Sequence, residues 1–413
     1  MPLSYTTLAI GMRAMGKLFQ TILFINHFSL GLVVPVLNLI LLDCGATLQT
    51  LPLLYMVMAI TVLCFELPSG ICADLLGRKN VFLISCILNF LSFFALIFVK
   101  QSLPLLILII ILYGIGRALS SGSIDALIID QTIDRHGNEF LPKITSRLSI
   151  IEGAGLSLGS ITGGVLAQLS SDRVYNLLGR IILILAIIVL CQLFIKEDVI
   201  TKEEHNSLKY HVKQGLKAVL INYKFALVVA GGFFVGLFLS VIETYWQPAF
   251  VGITNDQNRE WLLGIIPFFG FLAATVGNIF SQKLLDKYKS NHMGIYLISR
   301  GILAISLLVF ALQKNSISFI AGYSGVYLML GISNTSESTI INLYTPNHMR
   351  ASILSLFSLI TQIGLMCASL ISSIAINRLH FSGVWIIMAS LFGGYIILVA
   401  IIEAVVRKKV QIA

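Results

Sequence analysis

Residues 82–99 read FLISCILNFLSFFALIFV, an uncharged run long enough to be a membrane helix. Crossing a hydrocarbon core about 30 Å thick takes about 20 mostly apolar residues. Outward from this stretch the pattern repeats, with 103–119 and 181–195 as further clear cases. Outer-membrane barrels would instead show alternating segments of roughly 10 residues, and none are present. Charged residues make up 11% of the chain and hydrophobic ones 57%. A soluble domain carries about 25% charged residues, so this chain lacks the charge to coat a water-facing surface. The reading is an all-α membrane protein.

Segmentation predicts twelve transmembrane helices, near 19–42, 50–72, 80–99, 103–129, 146–169, 177–195, 222–248, 261–282, 293–313, 317–341, 351–376 and 383–405. The first apolar block reads as a retained span, with no small-residue cleavage site after a short apolar core. Loops on the cytoplasmic side collect Lys and Arg. With the N-terminus inside, and residues near a span end counted with the adjoining loop, 20 of the 28 basic residues fall on cytoplasmic segments, two (Arg117 and Arg300) fall within spans, and six are external. Those six are Lys100, Arg173, Arg180, Arg259, Lys314 and Arg378. Both termini are therefore expected in the cytoplasm, with the protein multi-pass in the inner (plasma) membrane. The net charge of +9 follows from this bias and from anionic lipid head groups, and calls for no nucleic acid. The six cysteines form no CxxC pair and no metal-type spacing.

Two halves are visible. At an offset of 212 residues, Ile124–Asp130 falls on Ser336–Asn342 and Asp74 falls on Asp286. The expected organisation is an N-terminal bundle over 1–195, a linker over 196–221 and a C-terminal bundle over 222–413. In the linker, Leu208, Val212, Leu216 and Val219 recur at helical spacing beside lysines, the pattern of an amphipathic helix at a membrane surface.

The loop after the second span reads Glu66-Leu67-Pro68-Ser69-Gly70-Ile71-Cys72-Ala73-Asp74-Leu75-Leu76-Gly77-Arg78-Lys79. Glycines there let helices turn sharply and approach closely, and Asp74 and Arg78 can make charge-assisted contacts. Gly70, Asp74, Gly77, Arg78 and Lys79 match the signature G-x-x-x-D-x-x-G-R-K, so the chain resembles the major facilitator superfamily. The resemblance implies two pseudo-symmetric six-helix bundles around a midplane site, and a structural pairing of Asp130 with the loop arginine.

Gly155, Gly159, Gly163 and Gly164 on the fifth span resemble that family's antiporter motif, with Ser160 in place of its proline. The resemblance implies export, whereas small-residue helix packing accounts for the same pattern. Arg117 is similarly placed to the family's span-four basic motif, linked there to proton coupling, but Ser120-Ser121 stands where Gln-Gly is usual. It lies about 20 Å into its span at 1.5 Å per residue, where a lone charge is costly and faces a cavity or a partner.

Asp125, Glu152, Glu337 and Glu243 also lie within spans. A carboxylate there is tolerated when it holds a proton, which makes these acids candidates for proton coupling, with Arg117, Asp125, Glu152 and Glu337 the first set. Glu243, Tyr245 and Trp246 end the seventh span. They fit either a cavity wall that stacks on substrate or an aromatic belt at the interface. Asn26 and His27 are weaker cavity candidates, histidine being the side chain that titrates near neutrality.

No phosphate-binding loop, metal helix or nucleophile elbow occurs, so no enzyme activity and no cofactor or metal is expected. The function expected is proton-coupled export of small, largely apolar compounds by a monomer in contact with membrane lipid. Proton-coupled import of a metabolite, and a lipid flippase or non-transporting sensor, are the alternatives.

Overall fold

The computed structural model describes residues 5–120, 124–125, 127–129, 141–169, 172–195, 223–254, 260–288, 292–345 and 350–412, and all regular structure among them is helical. The linker 196–221 and Asp130 lie outside the described residues. The helices of the first half are α1 (Tyr5–Val33), α2 (Leu37–Asp43), α3 (Thr50–Leu76), α4 (Arg78–Phe98), α5 (Leu103–Ser120), α6 (Leu141–Leu169) and α7 (Val174–Phe194). Those of the second are α8 (Tyr223–Thr254), α9 (Leu262–Lys287), α10 (His292–Ala311), α11 (Ser316–Tyr344) and α12 (Arg350–Ile412).

The first expected span is bent. α1 and α2 meet at 49° across residues 34–36, because Pro35 has no N–H to donate and its ring clashes with the preceding turn. α3 and α4 are separated by Gly77 alone, whose φ of 85° is a left-handed conformation that a Cβ would strain. α12 holds 63 residues. That is about 95 Å of helix at 1.5 Å per residue, far more than one crossing, and it breaks at His380 with φ 53° and ψ −174°. Among the described residues nine helices are long and apolar enough to cross a membrane, or ten with α1–α2 taken as one bent span. The shortfall from twelve lies in α3, whose apolar helix is the shorter Thr50–Glu66, and in α12, which counts once.

Two apolar cores form. One draws on residues up to Ile195, including Phe19, Leu51, Phe82, Leu106 and Ile184. The other draws on residues from Phe225 onward, with Leu39 of α2 reaching into it. Outward-facing positions carry large apolar side chains such as Phe98, Ile182, Ile305 and Ile374, as helices bathed in lipid do.

The glycines of α6 address two neighbours. A Cβ on Gly155 would stand 2.9 Å from the Cβ of His27, one on Gly159 2.9 Å from the Cα of Gly31, and one on Gly163 3.0 Å from the Cα of Leu32, all on α1. A Cβ on Gly164 would instead stand 2.7 Å from the Cα of Gly264 on α9, across the boundary between the halves. One short stretch therefore sets both a packing distance within a half and a contact between halves.

Candidate functional site

The halves are tied together by polar bonds gathered at one end of the molecule. The break at Pro35 leaves Val34 C=O and Asn38 N–H without the bond an unbroken helix would make between them. Gln247 of α8 fills the gap: its Oε1 accepts from Asn38 N–H at 2.8 Å, and its Nε2 donates to Val34 C=O at 2.5 Å. The Asn38 side chain donates to the carbonyls of Glu243 and Thr244 at 2.7 and 3.0 Å, and accepts from the Tyr55 hydroxyl at 2.5 Å. Tyr245 donates to Leu48 C=O at 3.1 Å. At the rim, Arg173 pairs with Asp43 at 2.5 Å in its own half and with Glu260 of the other half at 2.9 Å. Every one of these groups lies at the same end, which is sealed.

Beneath the seal, Glu243 turns inward. Its carboxylate accepts from the Tyr327 hydroxyl of α11 and lies within electrostatic reach of Arg117 and Tyr55 from the opposite half. Arg117 is exposed. An exposed arginine so deep in a span faces water rather than lipid, because hydrocarbon would make the charge prohibitively costly. An aqueous cavity closed above by Asn38 and Gln247 accounts for it.

Tyr245 and Trp246 do not line that cavity and do not face lipid. Both are fully buried, with the Trp246 ring 5.5 Å from that of Tyr323. The reason is that α8 continues to Thr254. Trp246 thus lies about 12 Å from the helix end at 1.5 Å per residue, too deep for an interfacial belt.

A second group of ionisable side chains comes from three segments of the first half. His27 of α1 is half-buried, while Asp125 and Glu152 of α6 are exposed, and Asp125 lies within electrostatic reach of both others. His27 Nδ1 is buried without a hydrogen-bond partner among the described residues. Asn26 beside it is half-buried. Helix α5 is described only to Ser120, so the helical register that would relate Arg117 to Asp125 lies outside the described residues.

Glu337, the repeat counterpart of Asp125, is placed differently. It is 5% exposed and pairs at 2.8 Å with Arg300, which is fully buried and also donates to Asn334 Oδ1 at 3.2 Å. Of the loop motif, Gly77 supplies the turn, and Lys79 Nζ donates to the carbonyl of Ile195 at 2.6 Å, tying α4 to the end of α7. Arg78 begins α4. For Gly70 and Asp74 only the helical backbone belongs to the described residues.

Asn38, Tyr55, Gln247 and Arg180 were not among the sequence candidates. Pro35 was the available sign of the first three, since a broken helix must find partners for its freed backbone groups. Arg180, expected in an external segment, lies inside α7 and is 6% exposed. Among the described residues no group of three or more His, Cys, Asp or Glu could hold a metal ion.

A family model described as Major Facilitator Superfamily matches residues 21–336. YxaM of Bacillus subtilis (strain 168), an uncharacterized MFS-type transporter, is 23% identical over 381 residues, covering 90% of this chain and 92% of that protein. The crystal structure of the nucleoside transporter NupG superposes with a TM-score of 0.74 at 15% identity, covering 92% of this chain and 97% of that one. A POT family transporter in complex with 5-aminolevulinic acid gives a TM-score of 0.72 at 13% identity, covering 94% and 96%. Likeness at such identities establishes a shared fold.

Proposed function

The chain belongs to the major facilitator superfamily, and from that premise we propose that it is a proton-coupled secondary active transporter working by alternating access between two six-helix bundles. The bundles span 1–195 and 222–413, with twelve crossings between them, and act as a monomer in lipid. The distribution of basic residues supports an inner-membrane protein with both termini in the cytoplasm. The sealed end then faces outside and the cavity opens inward.

The observation that carries the proposal is the double position of Glu243. Its backbone carbonyl accepts a bond from the seal, while its carboxylate reaches the charge of Arg117 in the other half. A change of charge or occupancy in the cavity therefore acts on the residue that holds the seal. Differential interaction with two states is the physical content of coupling. Asp125, Glu152 and His27, on the cavity side of the first half, are the groups that load and release the proton; Asp125 is the first of them. Asp74, Arg78 and Asp130 form the latch of the opposite end when the cycle reverses.

Export is the direction supported by the α6 glycine motif. A second reading, import of a small anionic metabolite by the same cycle, is favoured by the exposed Arg117. Liposomes carrying the purified protein and an internal pH dye test both. Addition of a transported solute should discharge an imposed pH gradient, with solute and proton moving oppositely for export and together for import. Asp125→Asn should keep passive solute exchange and lose dependence on the pH gradient. Full proton-driven accumulation by Asp125→Asn would overturn the assignment of the carrier, and a solute library that moves no protons would overturn the coupling.

A further inference from the structure

Pro35 accounts for one missing bond of the first span, but not for the wider gap beside it. Lacking an N–H, it leaves the carbonyl of Gly31 without its helical partner. The bond from Asn38 N–H to Val34 C=O needs nothing from Pro35, yet the Gln247 amide stands between those two groups and bonds both, at 2.8 and 2.5 Å. A side chain inserted into the i→i−4 ladder is a cause of sharp kinks, and this one comes from the other half. The backbone leaves the helix at Val36, with φ −130° and ψ −5° against about −63° and −42° in an α-helix. Val36 N–H turns to Val33 C=O at 2.9 Å, which releases the carbonyl of Leu32. Helical bonding is intact on either side, from Val34 N–H to Leu30 C=O at 3.1 Å and from Ile40 N–H to Val36 C=O at 2.9 Å.

The two sides of the break are held differently. Leu32 C=O accepts from Asn176 Nδ2 at 2.7 Å, and the same buried amide donates to Gly163 C=O at 2.8 Å, so the end of α1 is tied to α6 and α7 of its own half. Beyond the break, α2 is bound across to α8. The Asn38 side chain donates to the carbonyls of Glu243 and Thr244, and Leu39 packs into the core of the second half. From its own half, Asn38 accepts from the Tyr55 hydroxyl. We propose that α1–α2 is a two-state hinge in which Val34 C=O and Asn38 N–H exchange partners, bonding Gln247 when the end is sealed and each other when it opens. As α8 withdraws, the wedge leaves, Val36 returns to helical dihedrals, and α2 lines up on α1 with the kink of Pro35 alone remaining. A hinge absorbs its change at a few residues, and here Val36 is the centre while Asn176 holds the fixed side. Neither freed backbone group goes unpaired in either state, which buried N–H and C=O groups require. This rests on the alternating-access reading above, and adds which segment changes shape and which bond replaces the seal.

Pulsed electron resonance on the full-length, cysteine-free protein tests it, with spin labels at Thr21 of α1 and Asp43 of α2, both exposed. Labelling removes the Asp43–Arg173 pair from every protein compared, so its loss cancels. At 1.5 Å per residue, the 49° bend makes this span about 3 Å shorter than a straight helix. The parent should show the shorter distance. Gln247→Ala should add a population about 2–3 Å longer, and Pro35→Ala, which restores the missing N–H, should favour that population with Gln247 in place. Hydrogen exchange at the Asn38 amide, resolved by fragmentation mass spectrometry, should stay as slow in Gln247→Ala as in the parent, because Val34 C=O takes over as its acceptor. A Thr21–Asp43 distance that is unchanged in both variants overturns the proposal. So does one that shortens, as it would if α2 stayed docked on α8 and bent further, and so does fast exchange at Asn38 in Gln247→Ala. Should Gln247→Ala fail to fold, the distance in Pro35→Ala decides alone. Opposite movement at the two ends of the molecule without any change between Thr21 and Asp43 removes the hinge and keeps alternating access.

Discussion

Gln247 stands in for a missing backbone hydrogen bond of Asn38: its side-chain amide accepts from Asn38 N–H at 2.8 Å and donates to Val34 C=O at 2.5 Å. A side chain of one half thus completes a helix of the other. Gln247→Ala leaves two buried backbone groups without partners, at about 1–3 kcal/mol each, and the loss falls on the sealed state alone. A cysteine placed at Val36, which is fully buried between the two backbone groups that Gln247 bonds, should react with a maleimide at least about tenfold faster in the Gln247→Ala background, since 1.4 kcal/mol is a factor of ten. An unchanged rate would show that the amide does not hold the seal.

Adjacent glycines on α6 should behave differently. Gly163→Val drives a side chain into the backbone of Leu32 within one half, and overpacking of this kind costs roughly 1–3 kcal/mol or more. Reduced abundance and a lower Tm are the expected outcome. Gly164→Val meets Gly264 of the other half, a contact that opening of the sealed end would break under alternating access. The prediction is near-normal abundance with faster labelling at Val36Cys, and equal loss of abundance in both variants would contradict it.

The Arg300–Glu337 pair invites a double-substitution test. Removing either partner strands a buried charge, at about 3–5 kcal/mol, whereas replacing both with apolar residues is often neutral. Arg300→Met and Glu337→Leu should each lower Tm sharply, and together they should recover most of the loss. Because Glu337 is closed off from the cavity, the double variant should keep its dependence on the pH gradient. Loss of that dependence in a stable double variant would return Glu337 to the proton path.

How much of this was legible in the sequence depended on which force shaped each feature. Lipid demands apolar length, so α4, α8, α9, α10 and α11 fall within a few residues of their expected positions except at their ends. The end errors mattered: extending α8 to Thr254 carried Tyr245 and Trp246 from an expected wall or belt into the core, and Arg180, three residues inside the expected sixth span and counted with the external loop, is buried within α7. The glycines of α6 were recognisable as close-packing residues, yet their partners on α1 and α9 were not, since which face meets which helix is a tertiary fact. Asn38, Tyr55 and Gln247 are neutral polar residues in apolar runs. Their significance came only from the bend at Pro35 bringing them together.

At the rim, Arg173 holds Asp43 and Glu260 at once. Partly exposed pairs contribute only about 0–1 kcal/mol and are screened by salt. Arg173→Gln should therefore speed labelling at Val36Cys modestly, by less than about fivefold, and added salt should have a smaller effect on the variant than on the parent. A larger effect than that of Gln247→Ala would place the main latch at the rim instead of at Asn38.

Alternating access is tested most directly by measuring distances at both ends of the same protein. Spin labels at Gln49 and Lys314 report across the sealed end, and labels at Asn80 and Lys283 report across the opposite end; all four positions are exposed. Pulsed electron resonance on each pair, in a cysteine-free background and with Gln247→Ala as the perturbation, should give two distance populations whose weights move in opposite senses, the sealed-end pair lengthening as the opposite pair shortens. A single unchanging distance at both ends, with or without Gln247→Ala, would contradict the account.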